Sequence, residues 1–331
     1  MSSRTSPEGE LLVGGQALIE GVMMRSPGAY GVAVRRADGS MAFQRGKVAS
    51  LSRRYPFLKL PVLRGVAVLF QSLALGIRAL NFSAEQSLAE VAETPETMAA
   101  GPKEPEKTSS WAIAGSMAFG LGLGVVIFLL LPLWLTQLLE TYVFGQLSSL
   151  AFNLVDGLLR GVFFLAYILA IAQMKDIHRV FQYHGAEHKV VFVHEKGLPL
   201  TVDNARGMSR LHPRCGTSFL LFVLVVSIVV FAFIPKTAPF LVKFGGRLLL
   251  VPAIAGLSYE VLRFTAKRRA APLFALLVAP GLALQRITTQ EPTDDMLEVA
   301  IAALEVALRE DGLLEESPGA GALPAVAGGR I

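Results

Sequence analysis

The sequence predicts a mainly α-helical, polytopic membrane protein with a small mixed α/β cytoplasmic portion that contains two β-hairpins. Of its 331 residues, 53% are hydrophobic and only 17% are charged, whereas soluble domains usually carry about 25% charged residues. All five histidines lie between His178 and His212, and the only cysteine, Cys215, follows three residues later. Long apolar runs flank this cluster, so we expect one polar site at the edge of a membrane.

The first 57 residues are predicted to form a cytoplasmic region without a cleaved signal peptide, because the polar start has no apolar stretch. Asp38-Gly39 separates two short β-prone runs, which is a strong hairpin signal. Upstream, glycines on either side of a short apolar stretch in 14–25 predict a strand held by tight turns. This region therefore supplies the first of the two predicted hairpins.

Residues 58–82 are apolar but interrupted by Arg64, Gln71 and Arg78, which recur every seven residues and share one helical face. That pattern favours a helix that lies at the interface or packs on other helices over one surrounded by lipid. Residues 83–110 are rich in Glu, Pro, Ser, Thr and Lys, a composition typical of a flexible linker.

Residues 111–290 are predicted to form the membrane domain, since about 20 apolar residues suffice to cross the bilayer core. The segment 271–284 is short and contains two prolines and a glycine, so we expect it to be re-entrant or interfacial. Four crossings are predicted, at 111–139, 151–173, 217–234 and 247–262.

After the membrane domain, residues 291–312 are predicted to form an amphipathic helix. Thr293 is its expected N-cap, and two aspartates follow at its positive end. Residues 313–331 are rich in Gly, Ala and Pro and are expected to be a disordered tail. The apolar stripe of the helix consists of Leu297, Ile301, Leu304 and Leu308.

The distribution of cations predicts the orientation in the membrane. Seven lysines and arginines lie in 174–216 and four in 263–270, whereas 140–150 contains none. By the positive-inside rule, the two basic segments face the cytoplasm, and so do both termini. The net charge of +5 is explained by this topology and by anionic lipid, so no nucleic-acid partner is expected.

Two histidines four residues apart, His184 and His188, provide the clearest chemical signal. On a helix they lie one turn apart on one face, the geometry by which two imidazoles chelate one metal ion. Glu187 completes the order of the inverzincin metallopeptidase motif, in which the glutamate is the general base. The alternative is a pair of interfacial histidines bonded to carbonyl groups or lipid headgroups.

His212 and Cys215 are candidate ligands from the edge of the third crossing. Two β-prone runs within 189–202 predict a second hairpin, which would bring the two ligand pairs together. All four residues around one ion would make a closed, structural zinc site, whereas three of them with Glu187 and an open position would make a catalytic one. Imidazole and thiolate suit a borderline-soft divalent metal, so zinc is the expected cofactor. Alternatively, Cys215 is a small buried hydrophobe.

Two further acids are candidates for catalytic roles. Glu260 lies near the cytoplasmic end of the fourth crossing, and an ionisable group in an apolar span is a functional candidate. We expect it beside the histidines as a ligand, a partner of a ligand or a proton acceptor, with a salt bridge to Arg263 or Arg214 as the alternative. Glu20, the only acid in its segment, is a candidate for a similar role.

Several segments, taken together and in order, resemble the bacterial YqhQ-like membrane proteins over about residues 12–310. The resemblance implies a family of unknown function, often described as predicted metal-dependent enzymes, in the bacterial cytoplasmic (inner) membrane. It carries no established catalytic residue with it. The segments are GGQALIEGVMMR (14–25), YHGAEHK (183–189), HPRCGTS (212–218), SYE (258–260), APGL (279–282) and QRITT (285–289).

The first functional hypothesis is a membrane metal-dependent enzyme, hydrolytic, whose substrate is a lipid, a membrane-anchored peptide or another amphiphile that enters from the bilayer. The alternative is a non-catalytic scaffold with a structural zinc ion, whose cytoplasmic face and C-terminal helix dock a partner. Transport would rest on Glu260 and the proline-interrupted segments of 247–284, and it would need an internal repeat and a polar pathway that the sequence does not reveal. The sequence predicts no oligomeric state.

Overall fold

A computed structural model describes residues 13–48, 51, 55–88, 110–266 and 272–314, and it combines a small antiparallel sheet with many helices. The predicted mainly α-helical class is therefore confirmed. The predicted disordered tail beyond residue 314 and residues 89–109 of the predicted linker lie outside the described residues. The first residues of that linker, 83–88, are helical instead, because Ser83 is fully buried and donates a hydrogen bond to the carbonyl of Ile19.

The N-terminal strands form an antiparallel meander in the order β1-β2-β3-β4. The predicted hairpin joins β3 to β4, with Gly39 in the left-handed region at φ +82° and Asp38 accepting a hydrogen bond of 2.8 Å from the Ser40 N–H. The predicted strand in 14–25 is itself a hairpin, because Glu20, at φ +50°, turns the chain back. The strands are β1 (Gly14–Leu18), β2 (Gly21–Arg25), β3 (Ala29–Arg35) and β4 (Met41–Lys47).

A short 3₁₀ helix (Pro56–Lys59) precedes the first long helix, and two π-helical stretches, Val126–Leu130 and Glu140–Phe144, flank α3. In chain order the α-helices are α1 (Leu63–Leu88), α2 (Ser110–Val125), α3 (Leu131–Leu139), α4 (Ser149–Ile171), α5 (Lys175–Glu195), α6 (Val202–Arg206), α7 (Gly216–Phe231), α8 (Phe240–Ala266), α9 (Pro272–Thr288) and α10 (Asp294–Glu310).

The sheet lies between helices on both faces, so side chains on both sides of the central strands β2 and β3 are buried. On one face, Met23 of β2 and Val32 of β3 pack with Leu75 and Ala79 of α1. On the other face, Met24 of β2 joins a core built largely from α5 and α10. The predicted apolar stripe of the C-terminal helix is part of this core, at Leu297, Ile301, Leu304 and Leu308.

Four helical stretches are long and apolar enough to cross a membrane, at 63–87, 118–144, 149–171 and 240–265. The last three correspond to the first, second and fourth predicted crossings. The predicted third crossing is α7, whose 16 residues span about 24 Å and fall short of a hydrocarbon core of about 30 Å. Large side chains such as Phe119, Phe233 and Leu249 are more than 70% exposed on this part of the chain, as expected of a surface that faces lipid. The chain is a membrane protein.

Helix α1 meets the length and composition of a spanning helix, but its contacts favour the packed position expected for residues 58–82. Its C-terminal half packs on the sheet through Leu75 and Ala79. Near its N-terminus, Gly65 lies so close to Gly256 of α8 that a side chain on either glycine would meet the other helix. The sheet therefore covers one side of the C-terminal half of α1.

A buried ionic network ties the membrane helices together. Asp156 of α4 accepts hydrogen bonds of 2.5 Å from both Arg160 and Arg247, and all three side chains are at most 7% exposed. Arg160 also donates to the carbonyl of Phe128 at 3.0 Å. Pro132 follows four residues later and has no N–H for that carbonyl, so the arginine satisfies a group that the proline leaves free.

The second predicted hairpin, at 189–202, is wrong. Helix α5 continues to Glu195, and the chain turns at Gly197, which has φ +64°, before the short helix α6. Val190, Val191 and Val193 favour strands by propensity, but they are buried in the core with α10. Tertiary packing therefore overrides the local preference. The small sheet instead takes both of its outer hairpins from the N-terminal region.

Candidate metal centre

Helix α5 carries the two histidines that the sequence predicts as a chelating pair. The preceding helix, α4, ends at Ile171, and α5 begins at Lys175 as a separate element rather than as an extension of a crossing. His184 and His188 lie one turn apart on α5, and their ring centroids are 4.5 Å apart. The predicted i,i+4 geometry is therefore present on a helix packed against the sheet.

Each imidazole is oriented by a backbone carbonyl. His184 Nδ1 lies 2.8 Å from the carbonyl oxygen of Thr288, and His188 Nδ1 lies 2.6 Å from that of Arg210. A carbonyl only accepts, so both Nδ1 atoms are the protonated donors and both Nε2 atoms carry the free lone pair. Metal-binding histidines are commonly held in this way, because the hydrogen bond fixes the tautomer and the ring orientation.

The two Nε2 atoms point toward the thiol of Cys215. His184 Nε2 lies 3.2 Å from Cys215 Sγ, and ligand atoms of His184, His188 and Cys215 all lie within 4.8 Å of one another. His188 Nε2 is buried and has no hydrogen-bond partner. A buried nitrogen without a hydrogen bond is costly, and its free lone pair is available to a metal ion shared with Cys215.

Cys215 occupies the N-cap of α7, where its sulfur faces unpaired backbone N–H groups. The N–H of Thr217 donates to Sγ at 3.4 Å, and the Thr217 hydroxyl donates at 3.2 Å. The N-terminus of a helix favours negative charge because its peptide dipoles are aligned. Cys215 is also only 7% exposed. The sulfur is thus held in a position suited to a thiolate ligand.

The loop before Cys215 is held by the C-terminal part of α9. Gln285 accepts a hydrogen bond from the backbone N–H of His212 at 2.8 Å and donates to its carbonyl at 2.9 Å. Gly281 lies against Ser218, whose hydroxyl would be 2.5 Å from a side-chain carbon at position 281. The APGL and QRITT segments therefore position the cysteine loop rather than supply ligands.

Gly185, between the histidines, lets another segment cross α5. A side-chain carbon at this position would lie 2.1 Å from the carbonyl oxygen of Gln290. The crossing is fixed by the hydrogen bond of 2.8 Å from the Gln290 N–H to the carbonyl of Phe181. Because Thr288 is two residues earlier, the same crossing brings its carbonyl to His184.

His212 does not join the three converging ligands. Its Nε2 lies 3.1 Å from Glu195, and its Nδ1 accepts a hydrogen bond of 3.3 Å from the Arg214 N–H. Glu195 also pairs with the guanidinium of Arg214. The ring centroid of His212 is 5.7 Å from that of His188, so the residue is a neighbour of the centre with both nitrogens engaged elsewhere.

Glu187 is buried beside the centre and faces β1. Its Cγ lies 3.0 Å from where a side chain on Gly15 would begin. Burial raises the pKa of Glu187, while the charge of His184 and the backbone N–H of Gly15 act in the opposite direction. Burial also lowers the pKa of His188, which favours the neutral imidazole that a metal ion requires.

The other two predicted catalytic acids lie away from the three ligands. Glu260 forms a bidentate pair with Arg64 of α1 rather than with Arg263 or Arg214, and the Arg64 Nε donates to Glu260 Oε1 at 2.6 Å. Glu20 pairs with Arg179 of α5 and accepts a hydrogen bond of 3.3 Å from the Tyr183 hydroxyl. Both acids therefore fasten one element to another.

Sequence reasoning missed the groups that orient the histidines, since two of them are backbone carbonyls. It also missed Gln285, although that residue belongs to the recognised QRITT segment. A second hydrogen bond joins the same two segments, since Arg210 of the cysteine loop donates to the backbone carbonyl of Thr289. The sequence signal that could have identified Gln285 was the polar run QRITT at the end of an apolar segment.

Together, these features define a membrane protein with a buried histidine–cysteine cluster next to a small α/β unit. The chain belongs to the family described as "Protein of unknown function (DUF1385)", which it matches over residues 60–310. It is similar to the "Uncharacterized protein YqhQ" of Bacillus subtilis (strain 168), with 38% identity over 307 residues, 92% of this chain and 94% of the relative. No solved structure matches the chain significantly.

We expect Glu187→Gln to stabilise the metal-free protein at neutral pH. In the folded protein the pKa of Glu187 is raised above its ordinary value of 4.5. The contribution of Glu187 to the free energy of unfolding is therefore complete below pH 4.5, and it is lost as the pH rises through the folded-state pKa. The neutral amide removes the cost of burying a carboxylate. Thermal unfolding in detergent across this pH range should give the variant a flatter pH profile and a higher midpoint at neutral pH.

The matched control is Glu298→Gln, which changes a glutamate whose side chain is 52% exposed. Its unfolding profile should follow that of the wild type. A Glu187→Gln profile as steep as the wild-type one, with no gain at neutral pH, would contradict the buried position of Glu187.

Proposed function

We propose that this protein is an integral-membrane, zinc-dependent hydrolase whose centre consists of His184, His188 and Cys215. The observation that carries the proposal is the convergence of three ligand atoms within 4.8 Å. Zinc takes imidazole nitrogen at about 2.0–2.1 Å and thiolate sulfur at about 2.3 Å, and tetrahedral ligands at these distances lie roughly 3.3–3.6 Å apart. The separation of 3.2 Å between His184 Nε2 and Cys215 Sγ is close to that range.

The donor set fits a catalytic rather than a closed zinc site. Catalytic zinc is held by three protein ligands and keeps a fourth position open, whereas structural sites have four protein ligands. Among the described residues, three side chains converge, and His212 is engaged by Glu195 and the Arg214 N–H. The carbonyls of Thr288 and Arg210 hold the two imidazoles before any ion binds.

When bound, zinc supplies Lewis acidity to a water molecule or to a substrate oxygen. Glu187 would accept the proton of the attacking water, a role supported by its position on α5 one turn from His184 and by the burial that raises its pKa. A carboxylate with a raised pKa holds a proton better and then returns it to the leaving group. The deep burial of the centre, with His188 only 2% exposed, excludes bulk water.

We place the centre at the cytoplasmic surface of the bacterial inner membrane. The basic residues of 174–216 and the positive-inside rule support this orientation. Helix α1 joins the sheet to the membrane helices, because it contacts both β2 and α8. A substrate that enters from the bilayer is therefore a lipid, a membrane-anchored peptide or another amphiphile.

A structural zinc ion in a non-catalytic scaffold is the second candidate. It is favoured by one observation, namely that the three ligands and their carbonyl partners join α5, the 210–215 loop, α7 and α9. The C-terminal helix no longer supports the docking part of this idea, because Leu297, Leu304 and Leu308 are at most 3% exposed within the core. A docking surface would have to lie elsewhere.

The ligand set is tested by the zinc content of purified, zinc-loaded variants, measured by elemental mass spectrometry. We expect about one zinc per wild-type chain and a loss of at least about tenfold in His184→Ala, His188→Ala and Cys215→Ser, because each change removes a direct ligand. The control is His212→Gln, which keeps a hydrogen-bond donor for Glu195 and should retain zinc. A metal-free but folded wild type, or equal loss in the control, would refute this ligand set.

Hydrolysis is tested in vesicles of bacterial lipid that carry membrane-anchored peptides, in water labelled with heavy oxygen. Products that contain one heavy oxygen are expected with the zinc-loaded wild type. Glu187→Gln should keep its zinc and lose at least about 100-fold in rate, since it removes the proton acceptor. If fully loaded wild type forms no labelled product, the structural-zinc scaffold is the better account.

A further inference from the structure

A cleft with a mixed polar and apolar lining lies between the sheet, α1 and the C-terminal part of α8. It has a volume of about 430 Å³ and is lined on the sheet side by Gly14, Gln16 and Arg25. Ser72 of α1 and Tyr259 of α8 line the opposite side. The cleft thus sits where the sheet meets the membrane helices, and it is separate from the three metal ligands.

Arg25 is the charged group of this cleft, and it has no ion-pair or hydrogen-bond partner among the residues that the structure describes. Other arginines of this region are paired, such as Arg64 with Glu260 and Arg179 with Glu20. Burial lowers the pKa of Arg25, with the nearby Tyr259 acting in the opposite direction. A partly buried guanidinium without an anion is unfavourable, so the position is suited to an anionic ligand.

The remaining lining matches an anion that carries an apolar tail. The side chains of Gln16, Ser72 and Tyr259 offer hydrogen-bond donors around Arg25, whose planar guanidinium binds phosphate oxygens in pairs. Met23, Val68 and Leu75 supply apolar surface in the same cleft. On another face of α1, Phe70 and Leu73 are 59% and 56% exposed, which marks this helix as one that meets lipid.

We infer that this cleft binds the phosphate-bearing headgroup of an anionic amphiphile, with Arg25 as the recognising residue. The cleft and Glu187 lie on opposite faces of the edge strand β1 at Gly15, because Glu187 Cγ lies 3.0 Å from where a side chain on Gly15 would begin and the cleft is on the α1 side. On the basis of the proposed function, the headgroup site anchors an anionic lipid-like substrate across this edge strand from Glu187. Binding itself does not depend on zinc.

The test is a titration of the full-length protein in neutral detergent, followed by native mass spectrometry. Dioctanoyl phosphatidylglycerol is the anionic probe, dioctanoyl phosphatidylcholine is the zwitterionic one, and inorganic phosphate is the probe without a tail. We expect phosphatidylglycerol to bind at least about tenfold more tightly than phosphatidylcholine, and Arg25→Ala to weaken phosphatidylglycerol by at least about tenfold. Inorganic phosphate should neither bind measurably nor displace the lipid.

Three further variants separate recognition from folding. Arg25→Lys keeps the charge and should retain most of the phosphatidylglycerol affinity. Gly14→Leu adds apolar volume to the cleft at a position where no atom lies within 4 Å of the first side-chain carbon, and it should block binding while Arg25 remains. Arg45→Ala removes an equal charge from β4, outside the cleft, and should bind like the wild type.

Wild-type affinity in both Arg25→Ala and Gly14→Leu would overturn the inference, and so would equal binding of the two lipids. If inorganic phosphate alone binds through Arg25, the site takes free phosphate and the assignment to an amphiphile is wrong. Zinc content, measured on the same samples, should be unchanged by Arg25→Ala. Failure of the headgroup site is therefore distinguishable from failure of the metal centre.

Discussion

The candidate centre depends on the close packing of other segments around α5. The chain crosses this helix at Gly185, where only a glycine leaves room for the carbonyl of Gln290. That crossing carries the Thr288 carbonyl to His184, and the loop held by Gln285 carries the Arg210 carbonyl to His188. Both imidazoles are thus fixed by backbone atoms, whose positions follow from the fold rather than from any mobile side chain.

The rest of the structure holds α5 in place from the opposite side. Glu20, in the β1–β2 turn, pairs with Arg179 and accepts a hydrogen bond from Tyr183, both on α5. Helix α10 and the sheet bury the apolar face of α5, and α1 covers the far side of the sheet. Glu260, which pairs with Arg64, fastens α1 to the membrane helix α8. The two acids that the sequence offered as catalytic groups therefore fasten the sheet to α5 and α1 to α8.

Patterns with a local physical cause could be predicted from the sequence. The Asp38-Gly39 hairpin, three of the apolar helices of spanning length and the buried stripe of α10 each follow from turn chemistry or from hydrophobic patterning. The spacing of His184 and His188 also indicated their shared face. Local patterns failed at 189–202, where burial against α10 decides the conformation, and at His212, whose engagement by Glu195 depends on contacts between distant segments. No spacing rule reports which backbone carbonyl will meet an imidazole.

The most direct test of the convergent centre is X-ray absorption spectroscopy at the zinc edge of the zinc-loaded, full-length protein. The account predicts one sulfur at about 2.3 Å and three lighter atoms at about 2.0–2.1 Å, two of them imidazole nitrogens and the third an exchangeable ligand at the open position. A zinc shell without sulfur would show that Cys215 is not a ligand. A shell with three imidazoles and one sulfur would bring His212 into the site and make it a closed, structural one.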